Sequence, residues 1–142
     1  MQYLLDVNVL LALAWPNHDH HKAAHSWFAE CGQWASCPLT QTGFVRISCQ
    51  PAVTKRMVHI HEAVQILASS TKNTNHHFWH QTTQLTSLPG ELLQRVMGPQ
   101  QLTDALLLDL AIRHKGVLAT FDKRIEALLP AGSPHQSHLT IL

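Results

Sequence analysis

The chain predicts an α/β fold of three layers, a central parallel sheet with helices on both faces. Short apolar runs without polar alternation, Tyr3-Leu4-Leu5 and Val117-Leu118-Ala119, read as strands buried on both sides. Helical patterns alternate with these runs, as parallel βαβ connections require. One helix, Gln101 to His114, carries Ala105, Leu106, Leu107, Leu108, Leu110, Ala111 and Ile112, so it is apolar on most sides and belongs between layers.

The first strand ends in Asp6-Val7-Asn8, and a helix over Val9 to Trp15 follows, stopped by Pro16. A second helix, His18 to Glu30, places Ala23, Ala24, Trp27 and Phe28 in one stripe and ends at Gly32. Trp34 to Cys37 is a strand. Pro38 and Thr40 open a helix over Gln41 to Ser48, ended before Pro51. A single helix is predicted over Val53 to Ala68, with Met57, Ile60, Val64 and Leu67 on one face. His77 to Trp79 is a short strand, and Leu85 to Met97 a loop with a short helix after Pro89-Gly90. Gly116 separates the buried helix from the strand Val117 to Phe121. Asp122 to Leu129 is a helix ended by Pro130, and His138 to Leu142 a last edge strand.

Bulk properties narrow the function. A chain of 142 residues, 45% apolar and only 13% charged, is one globular domain over 1–142 with a sizeable core. A net charge of +1 excludes a general basic field for nucleic acid, so any RNA contact must be local or carried by metal ions. Cys31, Cys37 and Cys49 are odd in number and lack a CxxC spacing, which fits reduced thiols. The first basic residue is Lys22, so no positive segment opens a secretion signal, and no apolar run approaches the ~18 residues of a membrane span. The expectation is a soluble, cytoplasmic protein with no membrane partner.

The chain holds nine acidic residues, and three can meet. Asp6 and Asp122 both follow strands. Asp104 begins the helix that leads through Gly116 into the Val117 strand, so its end of that helix lies near the carboxyl edge of a parallel sheet. Ligands bind at that edge in open α/β sheets. Asp109 lies five residues on, about 140° around the helix, and pairs with Arg113 instead. Capping explains each of the three acids singly. Together they need raised pKa values or a counter-ion, because two carboxylates ~4 Å apart repel by about 4 kcal/mol at an effective dielectric of about 20. An all-oxygen set suits Mg²⁺ or Mn²⁺. His21 and His25, four apart, have no third ligand at a zinc spacing.

At these residues the chain resembles the PIN-domain ribonucleases, most closely the VapC-type toxins of toxin–antitoxin pairs. The resemblance rests on Leu5-Asp6-Val7-Asn8-Val9-Leu10, the run from Pro38 to Arg46, Thr103-Asp104-Ala105 and Thr120-Phe121-Asp122, in the family's order. His18, His20, His21, Ala24, Trp27 and Phe28 match one subgroup. The resemblance implies a PIN-like sheet between helical layers, a homodimer, Mg²⁺- or Mn²⁺-dependent cleavage of RNA, and a VapB-like antitoxin covering the active edge. It implies that Asp6, Asp104 and Asp122 are the metal ligands and catalytic acids, with Asn8 and Thr120 as polar supports or substrate contacts. Gln41 stands where the family commonly has a Glu; its carbonyl can ligate but brings no charge.

The expected chemistry is in-line attack of a metal-activated water on a backbone phosphorus. Arg46, Lys123 and Arg124 are candidates for phosphate contacts. Two rivals remain at the level of sequence. One is a PIN-like binding module whose metal site is weakened at Gln41. The other is a haloacid-dehalogenase-like phosphatase, which wants a second Asp where Asn8 stands.

Overall fold

A parallel sheet of five strands runs through the middle of the chain in the order β3-β2-β1-β4-β5. The computed structural model describes residues 1–142. The strands are β1 (Gln2–Leu5), β2 (Gln33–Ser36), β3 (His76–Phe78), β4 (Val117–Thr120) and β5 (Leu139–Ile141). The helices are α1 (Val7–Ala14), α2 (His21–Cys31), α3 (Pro38–Ser48), α4 (Pro51–Thr54), α5 (Ile60–Thr71), α6 (Gly90–Arg95) and α7 (Gln101–Arg113).

Every strand pair is parallel. Tyr3, Leu4 and Leu5 of β1 face Val117, Leu118 and Ala119 of β4, and Gln2, Tyr3 and Leu4 face Gln33, Trp34 and Ala35 of β2. The chain leaves β1 toward β2 on one side, while β4 and β5 lie on the other. The order therefore reverses at β1 and β4, and the crevice of an open α/β sheet forms at the carboxyl ends of such a pair.

Strand side chains alternate between two cores. Leu4 and Leu118 pack with α6 and α7 on one face; Leu5 and Ala119 pack with α1, α2, α3 and α5 on the other. Leu107, Leu108 and Leu110 of α7 are no more than 1% exposed. Each contributes about 1.5–3 kcal/mol of apolar burial. The three-layer parallel architecture matches the sequence prediction.

The largest departure is the predicted helix Val53–Ala68. It is two helices, α4 and α5, parted by residues 55–59, where Lys55 takes a left-handed φ of 62°. Met57 lies in the break, and Ile60 and Val64 are exposed, so of the predicted face only Leu67 is buried. Helix ends also move. Helix α1 begins at Val7 because Asp6 caps it, and α2 begins at His21 because residues 15–20 turn. Helix α3 begins at Pro38, with the Thr40 hydroxyl accepting the Cys37 N–H at 3.0 Å. Strand β4 stops at Thr120, and the segment Lys123–Leu128 coils as a 3₁₀ helix rather than an α-helix. All three cysteines are free thiols. No helix is long and apolar enough to cross a membrane.

Candidate active site

The carboxyl ends of β1 and β4 are tied by one compact hydrogen-bond network. Asp6 extends the β1–β4 ladder by one bond, its N–H reaching Ala119 O at 3.0 Å. Its carboxylate accepts from the Val7 N–H at 2.7 Å, from the Thr120 hydroxyl at 2.7 Å and from the Asn8 amide at 3.2 Å. The Thr120 hydroxyl in turn accepts from Asn8 Nδ2 and from the Asp122 N–H, both at 3.0 Å. Asn8 Oδ1 accepts the Phe121 N–H at 3.1 Å. Asn8 and Thr120 thus lock two chain segments more than a hundred residues apart. Capping and site geometry coincide at Asp6, which starts α1 and sits at the crevice.

Burial is the larger influence on Asp6 and raises its carboxyl above the ordinary range, against the hydrogen bonds from Thr120, Val7 and Asn8; the charge of Asp122 adds to the rise. Asp104, in the first turn of α7, is pushed up to about 6, first by burial and then by the charges of Asp6 and Asp122. Asp104 thus feels the charges of Asp6 and Asp122, and Asp6 that of Asp122.

Asp122 behaves differently. It is held below its usual range by Arg124, whose guanidinium reaches its two carboxylate oxygens at 2.9 and 2.7 Å. The Arg124 N–H caps the same carboxylate at 2.9 Å. No three His, Cys, Asp or Glu side chains are grouped so as to hold one metal ion, and Asp122 is paired with Arg124. The donor chemistry here would suit a hard divalent cation: all oxygen, with Asp6 and Asp104 raised by burial and by neighbouring negative charge.

The remaining predicted residues fall around this edge. Gln41, in the first turn of α3, donates to Ser36 Oγ at 2.9 Å, and Ser36 Oγ pairs with His76 Nε2 at 2.8 Å. One N–H of the Gln41 amide is used in that contact, and its carbonyl oxygen is the end able to accept. Arg46 is exposed and shares an open groove with Gln41, Val45 and Cys49. An open cleft beside the acids, lined by Met97, Gly98, Pro99, Gln100, Gln101, Asp104 and Arg124, has a volume of about 360 Å³. A more enclosed apolar cavity of about 260 Å³ lies elsewhere, under Leu10, Phe28, Trp34 and Phe44, and holds none of these acids.

Three features were not read from sequence. They are the Asp122–Arg124 pair, the Gln41–Ser36–His76 chain of hydrogen bonds, and the stacking of His20 on Phe121. Only the first had a local signal, an arginine two residues after the acid. His21 and His25 spend ring nitrogens on Ala12 O and Leu13 O at the end of α1, at 2.7 and 2.9 Å. Asp109 pairs with Arg113 at 2.7 Å, as predicted.

Comparison with known proteins agrees with this picture. The PIN domain family model matches residues 3–128. Ribonuclease VapC44 of Mycobacterium tuberculosis is 40% identical over 146 residues, covering 100% of both chains. Ribonuclease VapC39 of the same organism is 39% identical, covering 93% of this chain and 96% of that one. Two solved structures share the fold. One is M. tuberculosis VapC20, described as a Sarcin-Ricin loop cleaving toxin, with TM-score 0.66 and 20% identity over 94% of this chain and 97% of that chain. The other is VapBC2 from Rickettsia felis bound to a DNA fragment from its promoter, with TM-score 0.65 and 16% identity over 100% and 99%. The family match displaces the phosphatase reading. This chain belongs to the PIN-domain family, in its VapC-type ribonuclease branch.

Proposed function

We propose that this chain is the toxin of a toxin–antitoxin pair and hydrolyses RNA phosphodiester bonds with a divalent ion, Mg²⁺ or Mn²⁺, held by Asp6, Asp104 and Asp122. The observation that carries the reading is the hydrogen-bonded Asp6–Asn8–Thr120–Asp122 network at the β1/β4 crevice, with Asp104 close enough to be raised by the charges of Asp6 and Asp122, in a chain 40% identical end to end to Ribonuclease VapC44. A divalent ion held by these residues would supply activation of a water nucleophile and a positive charge for the phosphate. Asn8 and Thr120 hold Asp6 in the orientation their hydrogen bonds define. Asp104, raised to about 6, would hold the ion in its deprotonated form. Arg124 is paired with Asp122, and its exposed guanidinium would be a contact for a phosphate oxygen were Asp122 to hold an ion instead. Gln41 offers a neutral carbonyl, and Arg46 a second cation for the backbone.

The partner we propose is a VapB-like antitoxin. The exposed apolar side chains Ile60 and Val64 line the groove that runs past Gln41 and Arg46, and this surface supports that reading. A homodimer acting in the cytoplasm completes it. Light scattering on the purified chain tests the dimer.

The activity is tested by incubating purified chain with total RNA and titrated Mn²⁺, then sequencing the RNA ends. Cleavage that requires the metal and falls at least ~100-fold in Asp6→Asn supports the reading, since losing a catalytic metal ligand removes several kcal/mol of transition-state stabilisation. Intact RNA at saturating metal, with the antitoxin still bound tightly, would instead establish the weakened binding module.

A further inference from the structure

We propose that His20 and Phe121 form a stacking subsite for one base of the RNA, next to the phosphate that is cut. This inference rests on the ribonuclease reading above. The two rings are already laid flat on each other, with centroids 4.3 Å apart and planes 9° from parallel. Phe121 lies between Thr120 and Asp122, and its backbone is pinned by the bond from its N–H to Asn8 Oδ1 at 3.1 Å. Its position is therefore fixed by the same network that fixes Asp6.

His20 is presented rather than buried. It is exposed, at the end of the turn joining α1 to α2. Its N–H donates to His18 Nδ1 at 3.1 Å, and its carbonyl accepts the Ala24 N–H at 2.8 Å. The backbone on either side of the ring is thus set before anything binds. His18, at 5.8 Å and tilted by 43°, flanks His20 without stacking on it. Phe121 rests against the core that contains α1, so the pair is anchored on one side and open on the other.

An exposed imidazole stacked on a phenyl ring adds little to a core. It does extend an aromatic column outward from the metal edge. A base is a flat ring of the same kind, and stacking needs no particular base identity. Lys123 and Arg124, both exposed, follow Phe121 directly and can meet the phosphates on either side of a stacked base. The subsite would position the strand and set a preference for a base over its absence at one place near the cut.

The test uses a short single-stranded RNA carrying 2-aminopurine at successive positions, mixed with the full chain without divalent metal. Wild type is expected to quench the probe at one position. His20→Ala should lose that quenching and bind about tenfold more weakly, the scale of one stacked base, while His20→Tyr restores both. Phe121→Leu provides an independent loss, and an abasic nucleotide at the same position should cost wild type about tenfold and His20→Ala nothing. Mg²⁺ affinity of His20→Ala, read by calorimetry, should be unchanged. Quenching that persists in His20→Ala, no quenching in wild type, or an equal loss on base-containing and abasic RNA overturns the subsite. Retained quenching in a chain that cuts no RNA with metal would instead overturn the ribonuclease reading.

Discussion

Arg124 and Asp104 decide how the acids behave before any ion arrives. Arg124 donates three side-chain bonds to Asp122 and stands where a cation is wanted. The pair is solvent-exposed and so only modestly favourable. Arg124→Gln is therefore expected to tighten Mg²⁺ binding about 2- to 5-fold, as calorimetry would read, while cleavage at saturating Mg²⁺ falls because a phosphate contact is gone. Weaker Mg²⁺ binding in the variant would show that Arg124 supports the ligand set rather than competing with it.

Asp104 makes a pH prediction. Its carboxyl is raised from 3.8 to about 6, so between those values the folded chain holds a proton that the unfolded chain has released. Stability from this group is complete below about 3.8 and is lost as pH rises through about 6. Asp104→Asn cannot ionise. Without metal, its Tm should exceed that of wild type by a margin that grows from pH 4 to about 6.5, reaching a few degrees, and then stays flat. Saturating Mg²⁺ should raise the Tm of wild type above pH 6 and leave Asp104→Asn unmoved. Scanning calorimetry at several pH values reads both.

The positions of these acids were legible from sequence because strand ends and helix starts in a parallel sheet share an edge by construction. Their hydrogen bonds were not. Asn8 reaches Phe121, and Thr120 reaches Asp6, only through the register of β1 against β4, which residues so far apart in sequence do not reveal. Arg124 can fold back on Asp122 because the chain coils there as a 3₁₀ turn, and sequence suggested an α-helix.

At the scale of elements, the sheet was readable and the helix α5 region was not. Buried strands such as Tyr3-Leu4-Leu5 carry an uninterrupted apolar signal. The pattern Met57, Ile60, Val64, Leu67 mimics a buried stripe, but Lys55 breaks the helix and most of these side chains face outward. Apolar periodicity cannot distinguish a core face from an exposed apolar surface. The turn into β4 shows the opposite case, where one residue type is required. A Cβ on Gly116 would stand 2.8 Å from the Gln2 carbonyl oxygen and inside the Trp79 ring's contact distance. Gly116→Ala should therefore destabilise the chain by about 1–3 kcal/mol or more, read by urea unfolding. An unchanged midpoint would mean that β1 and β4 are less tightly joined than their register implies.

For the molecule as a whole, the fold gathers negative charge at one crevice and leaves it only partly balanced. Asp6 and Asp104 are raised while Asp122 is paired with its own arginine, and an oxygen-seeking cation would relieve the first two. The direct measurement is anomalous diffraction from crystals of the chain grown with Mn²⁺. The account predicts a Mn²⁺ peak ligated by Asp6, Asp104 and Asp122, with Arg124 turned away from Asp122. A saturated crystal with no peak between these side chains, and with the Asp122–Arg124 pair intact, would contradict it.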